Sequence, residues 1–321
     1  MINSLPYALS GKRVWVCGHN GMVGSAIVRR LKKEGDVEIL TVERSEVDLV
    51  DQSSVNNWMI QNKPEAIFLA AAKVGGIHAN STYPADFIYL NTMISANVIH
   101  AAYKNEVEKI LFLGSSCIYP KMAPQPIKED ALLTGPLEPT NQWYALAKIS
   151  GIMMAQAYRA QYGSDYISAM PTNLYGPGDN FHLENSHVIP ALMRKVHQAK
   201  NEGAASVTLW GSGEVYREFM HVDDCADALV FLMQNYSEDQ FINIGQGSDI
   251  MIKSLLEDIM QVIGYQGQIE YDTTKPDGTP RKIMDNSRLE SLGWTPHYNL
   301  LNGLEQTYQW FLKNEGQLRS R

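Results

Sequence analysis

The feature that most constrains the fold is an alternation of short apolar runs and helical segments through the first 170 residues. Arg13 to Cys17 predicts a strand, and Met22 to Glu34 predicts a helix whose apolar residues recur on one face before Gly35 ends it. Repeated strand and helix pairs of this kind are typical of βαβ units. We therefore predict an α/β fold with a doubly wound parallel sheet.

Further elements follow the first pair along the chain. The predicted strands are Val37–Val42, Ala66–Ala70, Lys109–Leu113, Tyr166–Met170, Val207–Trp210 and Phe241–Ile244. The predicted helices are Asp51–Asn62, Pro84–Tyr103, Gln142–Tyr162, Asp223–Asn235, capped by Asp, and Ile252–Ile263.

The domain organisation follows from a change in composition. Pro171 to His187 is rich in Pro, Gly, Asn and His, which indicates a loop facing a ligand. We place a dinucleotide-binding domain at 1–172. Because Phe241 to Gly247 reads as another strand ending in glycines, this domain is expected to recruit about 220–246. Residues 173–219 and 247–321 then form a smaller C-terminal α/β substrate domain.

Charge and cysteine content exclude several classes of protein. The chain has 27 Lys and Arg against 35 Asp and Glu, a net charge of −8, so a nucleic-acid partner is not expected. Cys17, Cys117 and Cys225 are widely spaced, which indicates neither a disulfide framework nor a metal site and favours the reducing cytoplasm. No run approaches the ~18 apolar residues of a membrane helix, so we expect a soluble protein without a membrane partner.

Three glycines lie between the first strand and the first helix. Such a turn lets a pyrophosphate approach the helix N-terminus, as in Rossmann dinucleotide-binding domains. The spacing is Gly-x-x-Gly-x-x-Gly instead of the usual Gly-x-Gly-x-x-Gly, and a tight βα turn without a ligand is the alternative. The predicted cofactor-binding residues of this turn are Gly18, His19, Asn20, Gly21, Met22, Val23 and Gly24.

Two adjacent residues after the second strand favour different cofactors. Glu43 favours a free ribose 2′-hydroxyl, whereas Arg44 favours a 2′-phosphate. Asp48 is positioned either to accept from an adenine amino group or to cap the following helix. A solvated loop is the alternative for Glu43 and Arg44.

A possible catalytic pair lies on one predicted helix. Tyr144 and Lys148 are one turn apart, and the ammonium lowers the cost of ionising the phenol, which suits carbonyl reduction. Upstream, Ser115 and Cys117 follow the predicted strand Lys109–Leu113. If the strand continues, its alternation presents both on one side while Ser116 turns away.

These motifs together carry a resemblance. Gly18 to Gly24, Ser115 and Tyr144-x-x-x-Lys148 resemble the extended short-chain dehydrogenase/reductase superfamily. Within that superfamily, six further motifs resemble the GDP-L-fucose synthase family. They are Ala70-Ala-Ala-Lys-Val-Gly-Gly-Ile77, Ser115-Ser-Cys-Ile-Tyr-Pro120, Pro171-Thr-Asn-Leu-Tyr-Gly-Pro177, Asn185-Ser-His-Val-Ile-Pro190, Lys275-Pro-Asp-Gly-Thr-Pro-Arg-Lys282 and Tyr308-Gln-Trp-Phe311. The similarity runs nearly end to end.

The resemblance implies an activity and a catalytic set. The activity is NADPH-dependent 3,5-epimerisation and 4-keto reduction of GDP-4-keto-6-deoxy-D-mannose. Cys117 is assigned as base and His187 as acid for the epimerisation, because a thiol and an imidazole both titrate within reach of neutral pH. Tyr144 then protonates the C4 oxygen, Lys148 holds the nicotinamide ribose, and Ser115 hydrogen-bonds the oxygen as charge develops.

The resemblance also implies binding residues and a partner copy. Those for NADP are the glycine turn together with Arg44, Asp48, Leu113, Gly114, Ser116, Lys148, Pro171, Thr172, Asn173, Leu174 and His187. Those for the GDP-sugar are Lys195, Trp210, Arg217 and Asp277, with the pair Arg281 and Lys282 as further phosphate candidates. Glu43 and Asn20 leave NAD open as a second cofactor, and homodimers are expected through Pro84–Tyr103 and Gln142–Tyr162.

Other functions remain open on sequence grounds. A colitose-type GDP-sugar epimerase/reductase needs no change in any motif. A nucleotide-sugar 4-epimerase shares Ser115, Tyr144 and Lys148 but does not require Cys117 with His187. A 4,6-dehydratase is disfavoured because no Asp-Glu pair follows Ser115, and a non-catalytic NADP sensor is disfavoured because Tyr144 and Lys148 are both present.

Overall fold

The computed structural model describes residues 6–182, 186–275 and 277–317. The strands are β1 Arg13–Cys17, β2 Glu38–Leu40, β3 Ala66–Leu69, β4 Lys109–Leu113, β5 Asp165–Pro171, β6 Asn173–Tyr175, β7 Ser206–Trp210, β8 Tyr216–His221, β9 Ile242–Ile244, β10 Asp249–Met251, β11 Gln268–Asp272 and β12 Arg281–Lys282. The helices are α1 Met22–Leu31, α2 Gln52–Asn62, α3 Ile77–Thr82, α4 Pro84–Lys104, α5 Gln142–Tyr162, α6 Val188–Glu202, α7 Val222–Asn235, α8 Ile252–Ile263, α9 Ser287–Ser291 and α10 Leu300–Asn314.

A six-stranded sheet in the order β2-β1-β3-β4-β5-β9 forms the centre, and every neighbouring pair in it is parallel. Its two faces are buried in different cores because side chains alternate along each strand. Val14 and Val16 of β1 pack in the core that includes α1 and α7, whereas Trp15 and Cys17 pack in the core that includes α2, α4 and α5. The predicted doubly wound parallel sheet is confirmed.

The strand order places a crevice at one edge of this sheet. The chain runs from β1 outward to β2 and then returns to β3 on the other side of β1. At such a reversal the connections leave in opposite directions, and open α/β sheets bind ligands outside the carboxyl ends of the strands there. The glycine turn after β1 and the segment after β3 therefore border the expected cofactor site.

The C-terminal part has its own core. Helices α6, α8 and α10 pack with β7 around buried residues that include Tyr175, Phe181 and Phe311. Strands β7 and β11 pair in parallel, and β8 pairs with β6, β10 and β12. Two β-sheet units therefore lie beside the central sheet, consistent with the predicted smaller α/β part.

Several predicted elements differ from those observed. Helix α1 ends at Leu31 instead of Glu34, and helix α7 begins at Val222, where the ring of His221 accepts a hydrogen bond from Asp223 N, so the predicted Asp cap is wrong. Strands β6, β8, β10, β11 and β12 were not predicted.

The last strand of the central sheet comes from late in the chain. Strand β9 pairs with β5 through Ala169 and Ile242. This pairing agrees with recruitment of about 220–246 into the first domain, although the domain boundaries themselves stay a prediction. Among the described residues, no helix is both long and apolar enough to cross a membrane.

Candidate active site

The turn between β1 and α1 is closely packed around its glycines. Gly18 has a φ of +84°, and a Cβ there would lie 2.8 Å from the Cα of Ala71. A Cβ on Gly24 would lie 2.1 Å from the carbonyl oxygen of Gly18, and Gly21 N donates to that oxygen at 2.9 Å. The first turn of α1 is thus pressed against the end of β1. This cradle fits the pyrophosphate of a dinucleotide, because only backbone atoms stand between the ligand and the helix N-terminus.

The Glu43 carboxylate is hydrogen-bonded to residues of the glycine turn, so Glu43 is not a loop residue that contacts solvent alone. Its carboxylate accepts from Asn20 Nδ2 at 2.8 and 3.0 Å and lies 3.3 Å from His19 Nε2. The Asn20 amide and then His19 hold the pKa of Glu43 below its usual range. The negative charge of Glu43 is therefore held beside the turn.

The neighbouring Arg44 and Asp48 lie further out. The Arg44 side chain is 79% exposed and stands 3.7 Å from Asp48, so it is free to reach an anionic ligand. Asp48 does not cap the next helix, because Asp51 accepts from the backbone N–H groups of Ser53 and Ser54. The cap alternative for Asp48 is wrong, and its cofactor role stays a prediction.

Ser115, Ser116 and Cys117 do not continue strand β4. The chain turns into a short 3-10 helix, Ser116–Ile118, and Ser115 Oγ accepts from Cys117 N at 3.4 Å. The expected strand alternation is therefore wrong. Ser115 and Cys117 are nevertheless neighbours, because the cap bond of the turn holds them together, and both Ser116 and Cys117 are buried.

Tyr144 and Lys148 lie on one face of α5, as their spacing predicts, and this face meets the end of β4. The Lys148 ammonium donates to the carbonyl oxygen of Leu113 at 2.7 Å and lies 5.8 Å from the centre of the Tyr144 ring. Tyr144 is hydrogen-bonded to Ser115. One cluster therefore contains a hydroxyl, a thiol, a phenol and an ammonium.

Electrostatics within this cluster differ from group to group. Burial raises the pKa of Tyr144, an effect that negative charge on Cys117 reinforces and the bond to Ser115 opposes. Burial lowers the pKa of Lys148 to about 8. Burial also raises the pKa of the Cys117 thiol, against which Lys282, Ser115 and Lys148 act. The phenol is thus kept protonated, whereas burial and the nearby cations have opposite effects on the pKa of the thiol.

The segments that follow β4 and β5 complete the cofactor edge. Gly114 N donates to Ala169 O at 2.9 Å, and a Cβ on Gly114 would meet the sulfur of Met170 at 2.2 Å. Thr172 N donates to Ile244 O at 2.9 Å. The remaining predicted residues there, Leu113, Ser116, Pro171, Asn173 and Leu174, lie at the same carboxyl edge of the sheet.

Lys195 and Trp210 form a cationic and aromatic surface in the C-terminal part. The Lys195 ammonium lies 4.3 Å from the centre of the Trp210 ring, and the Lys275 ammonium lies 5.4 Å from it. Burial lowers the pKa of Lys195, and Asp272 opposes this. Because Trp210 is 54% exposed, its indole is available to stack on a planar base.

Arg217 and Asp277 lie together beside that surface. The Asp277 carboxylate accepts from Ser212 N at 2.7 Å, two residues after Trp210. Burial lowers the pKa of Arg217, and Asp277 opposes this effect. The four predicted GDP-sugar residues therefore lie in one region of the C-terminal part.

His187 immediately precedes helix α6, which also carries Lys195. Its side chain makes no capping hydrogen bond. Desolvation by the surrounding protein atoms lowers the pKa of the imidazole. Asn185 and Pro276, from two of the quoted motifs, lie outside the described residues.

One buried residue near the cluster, Glu218, was not singled out by sequence reasoning. Glu218 is fully buried and accepts from Gly247 N at 2.8 Å and Met284 N at 3.0 Å. Of the further phosphate candidates, Arg281 binds the carboxylate of Asp249, and Lys282 interacts electrostatically with Cys117 and Arg217. Their role as phosphate ligands stays a prediction. A charged Arg-Glu pair at 217–218, within a stretch flanked by aromatic residues, is the signal that was available for Glu218.

The glycine cradle and the Tyr-Lys pair at the end of β4 define the class of dinucleotide-dependent oxidoreductases and epimerases. The chain belongs to the NAD dependent epimerase/dehydratase family, which it matches over residues 14–245. It is 59% identical to GDP-L-fucose synthase 1 of Arabidopsis thaliana over 302 residues, covering 94% of each chain. It is 52% identical over 320 residues to GDP-L-fucose synthase of Escherichia coli K12, covering 97% of this chain and 100% of that one. A GDP-L-fucose synthetase from Naegleria fowleri bound to NADP superposes with a TM-score of 0.90 at 27% identity, over 100% of both chains.

Proposed function

We propose that the chain is the NADPH-dependent enzyme that converts GDP-4-keto-6-deoxy-D-mannose to GDP-L-fucose. The observation that carries this function is the cluster in which the Cys117 thiol stands beside the Tyr144 phenol and the Lys148 ammonium. Reduction alone needs only the phenol and the ammonium, so a thiol facing the same space points to an added proton transfer. The two GDP-L-fucose synthases at 59% and 52% identity favour a fucose product over a colitose-type one.

Epimerisation uses the acidity that the C4 ketone confers on the hydrogens at C3 and C5. At each of these two carbons in turn, Cys117, as thiolate, removes the proton, and His187 returns a proton to the opposite face of the enol. What supports His187 is its position just before α6, the helix that carries Lys195. Burial lowers the pKa of the imidazole, so its protonated acid form is the minority species at neutral pH and becomes more populated as the pH falls.

Reduction follows at C4, where NADPH supplies the hydride. Tyr144 donates its proton to the C4 oxygen while Ser115 hydrogen-bonds that oxygen. Lys148 carries the positive charge that favours loss of the phenolic proton and also holds the nicotinamide ribose. The buried Lys148 amine is fixed for both tasks by its bond to Leu113 O.

The nucleotide is held by the contacts of the C-terminal part. Trp210 stacks on the guanine, Arg217 and Lys195 neutralise the diphosphate, and Asp277 orders the loop around them. Residues 18–24 would hold the pyrophosphate of the cofactor, Arg44 and Asp48 would bind its adenosine ribose, and the segments 113–116 and 171–174 would line its nicotinamide half. This division corresponds to a dinucleotide domain of 1–172 with about 220–246, and a substrate domain of 173–219 and 247–321.

The assembly we infer is a cytoplasmic homodimer through α4 and α5, without nucleic-acid or membrane partners. Helix α5 exposes an apolar stripe that recurs at helical spacing, formed by Trp143, Leu146 and Met153. Tyr89 of α4 is likewise exposed. An exposed apolar stripe on paired long helices is typical of a helix-bundle interface.

The test is to supply GDP-4-keto-6-deoxy-D-mannose and NADPH, follow NADPH oxidation by absorbance, and determine the product's stereochemistry by NMR. A GDP-L-fucose product is expected. A product with unchanged configuration at C3 and C5 would mean a simple 4-reductase, and absence of oxidation with intact NADPH binding would mean a different keto-sugar nucleotide or the sensor function.

A further inference from the structure

Lys282 and its neighbour Arg281 point away from each other on strand β12. The Arg281 guanidinium binds the carboxylate of Asp249 with an Nη2 to Oδ1 distance of 3.0 Å, on the exposed side. Successive side chains of a strand project to opposite faces. Lys282 therefore projects to the inner side, where it is partly buried.

The strand is fixed beside the segment that carries Cys117. The residue after Lys282 donates from Ile283 N to Gln125 Oε1 at 2.8 Å, and Met284 N donates to the buried carboxylate of Glu218 at 3.0 Å. Gln125 follows the 3-10 turn of Cys117 by only a few residues. These bonds fix the end of β12 beside the segment that follows Cys117 in the chain.

The Cys117 thiol and the Lys282 ammonium each have several titratable groups around them. The Cys117 thiol is faced by Lys282 from β12, by Lys148 and Tyr144 from α5, and by Ser115 from its own turn. Burial lowers the pKa of Lys282 and Arg217 adds to this, whereas Cys117, Glu218 and Glu138 act against it and favour the ammonium form. Lys148 already donates to Leu113 O, and of the two cations Lys282 has the larger effect on the thiol. Lys282 is thus the main counter-charge available to a thiolate at Cys117.

We propose that Lys282 is a positioning residue for epimerisation, whose ammonium stabilises the thiolate of Cys117 as the base that removes the C3 and C5 protons. This inference rests on the proposed function, in which Cys117 is that base. It reassigns Lys282, which sequence reasoning grouped with Arg281 as a phosphate ligand.

The physical reason is that burial works against the base. Burial disfavours the charged form of a thiol, so Cys117 without a nearby cation would stay protonated and inert at neutral pH. A cation held by the strand register offsets this cost without needing a bound substrate. The thiolate is therefore prepared before the sugar arrives.

The experiment titrates Cys117 itself, in enzyme free of cofactor and substrate. The ultraviolet absorbance of the thiolate is recorded against pH, and the curve of the matching Cys117→Ser protein is subtracted, which cancels tyrosine and the two other cysteines. Lys282→Met and Lys282→Gln are expected to raise the Cys117 midpoint by at least about one pH unit, a tenfold loss of thiolate at neutral pH. Lys282→Arg should restore the midpoint, and Arg281→Met should leave it unchanged.

Measurements of GDP binding and of deuterium exchange distinguish failure of this inference from failure of the proposed function. If Lys282→Met weakens GDP binding but leaves the Cys117 midpoint in place, Lys282 is a phosphate ligand only and the inference is wrong. If the midpoint shifts as expected but even the wild-type enzyme exchanges no deuterium into C3 or C5 of the substrate, the pairing stands and the proposed function fails. With both correct, Lys282→Met loses exchange at neutral pH and partly regains it at higher pH.

Discussion

Lys148 of α5 donates a hydrogen bond of 2.7 Å from its ammonium to the carbonyl oxygen of Leu113, the last residue of β4. The bond attaches the helix that carries Tyr144 to the strand that leads into Ser115. Spacing along a helix puts a phenol and an ammonium on one face, but only this bond fixes where the charge stands. The reductive half of the site is therefore positioned by the backbone of the sheet.

The charge of Lys148 gives a pH limit for reduction. Burial lowers the pKa of Lys148 to about 8, so its ammonium is present below that pH and lost above it. We expect kcat/KM for NADPH oxidation to fall as pH rises through about 8. Lys148→Arg should carry activity to higher pH, because a guanidinium remains charged. An unchanged alkaline limb in the Arg variant would show that another group sets it.

Removal of the Tyr144 hydroxyl should separate the two half-reactions. Burial raises the pKa of Tyr144, which keeps the phenol protonated as a donor. Tyr144→Phe is expected to lower NADPH oxidation by about 10²-fold or more while sparing deuterium exchange at C3 and C5, measured with NADPH omitted. Cys117→Ser should instead lower the deuterium exchange at C3 and C5 and keep NADPH affinity. Loss of exchange in the Phe variant would mean that Tyr144 also takes part in epimerisation.

The glycine cradle can be tested by adding single methyl groups. In Gly24→Ala the new Cβ would lie 2.1 Å from Gly18 O, so α1 must move away from the end of β1. We expect NADPH affinity to fall by about tenfold or more, measured by fluorescence titration. Gly21→Ala, where the nearest contact is 3.3 Å, should lose much less. Equal losses in both variants would contradict an effect of the close approach.

Apolar periodicity predicted the central sheet because its strands are buried on both faces. Strand β4, Lys109–Leu113, has the predicted bounds, because all five of its residues are buried and four of them are apolar. Strand β8 was not predicted, because Arg217 and Glu218 interrupt its apolar pattern. Their surroundings are built by segments such as Gly247 and Met284, which are distant in sequence and therefore invisible to a local pattern.

The catalytic cluster shows the same limit at shorter range. Sequence reasoning grouped Ser115 with Cys117 through strand alternation, yet a 3-10 turn brings them together. The residue types carried the chemistry, whereas the local geometry depended on a cap bond that no periodicity reports. The counter-charge at Lys282 comes from 165 positions further along the chain than Cys117 and required the fold itself.

Cofactor choice should respond to Glu43. Its exposed carboxylate is bound to Asn20 and stands next to Arg44 in sequence, so it opposes a 2′-phosphate. Glu43→Gln is expected to raise the NADPH to NADH ratio of kcat/KM by up to about fivefold, as for one exposed charge pair. Arg44→Gln should lower the same ratio. A ratio unchanged in both variants would place the 2′-phosphate elsewhere.

Glu218 should be a major determinant of stability. Its carboxylate accepts from the backbone N–H groups of Gly247 and Met284, and its backbone oxygen accepts from Asn173 Nδ2 at 2.8 Å. Glu218→Ala leaves two buried donors without an acceptor, each costing about 1–3 kcal/mol, so we expect the free energy of unfolding to fall by about 2–6 kcal/mol in urea titrations. Glu218→Gln keeps one acceptor and should lose about half as much, while Glu290→Ala at an exposed position should lose little. If Glu218→Ala unfolds at the wild-type urea concentration, those N–H groups find other acceptors and β8 does not depend on this carboxylate for its attachment to β12.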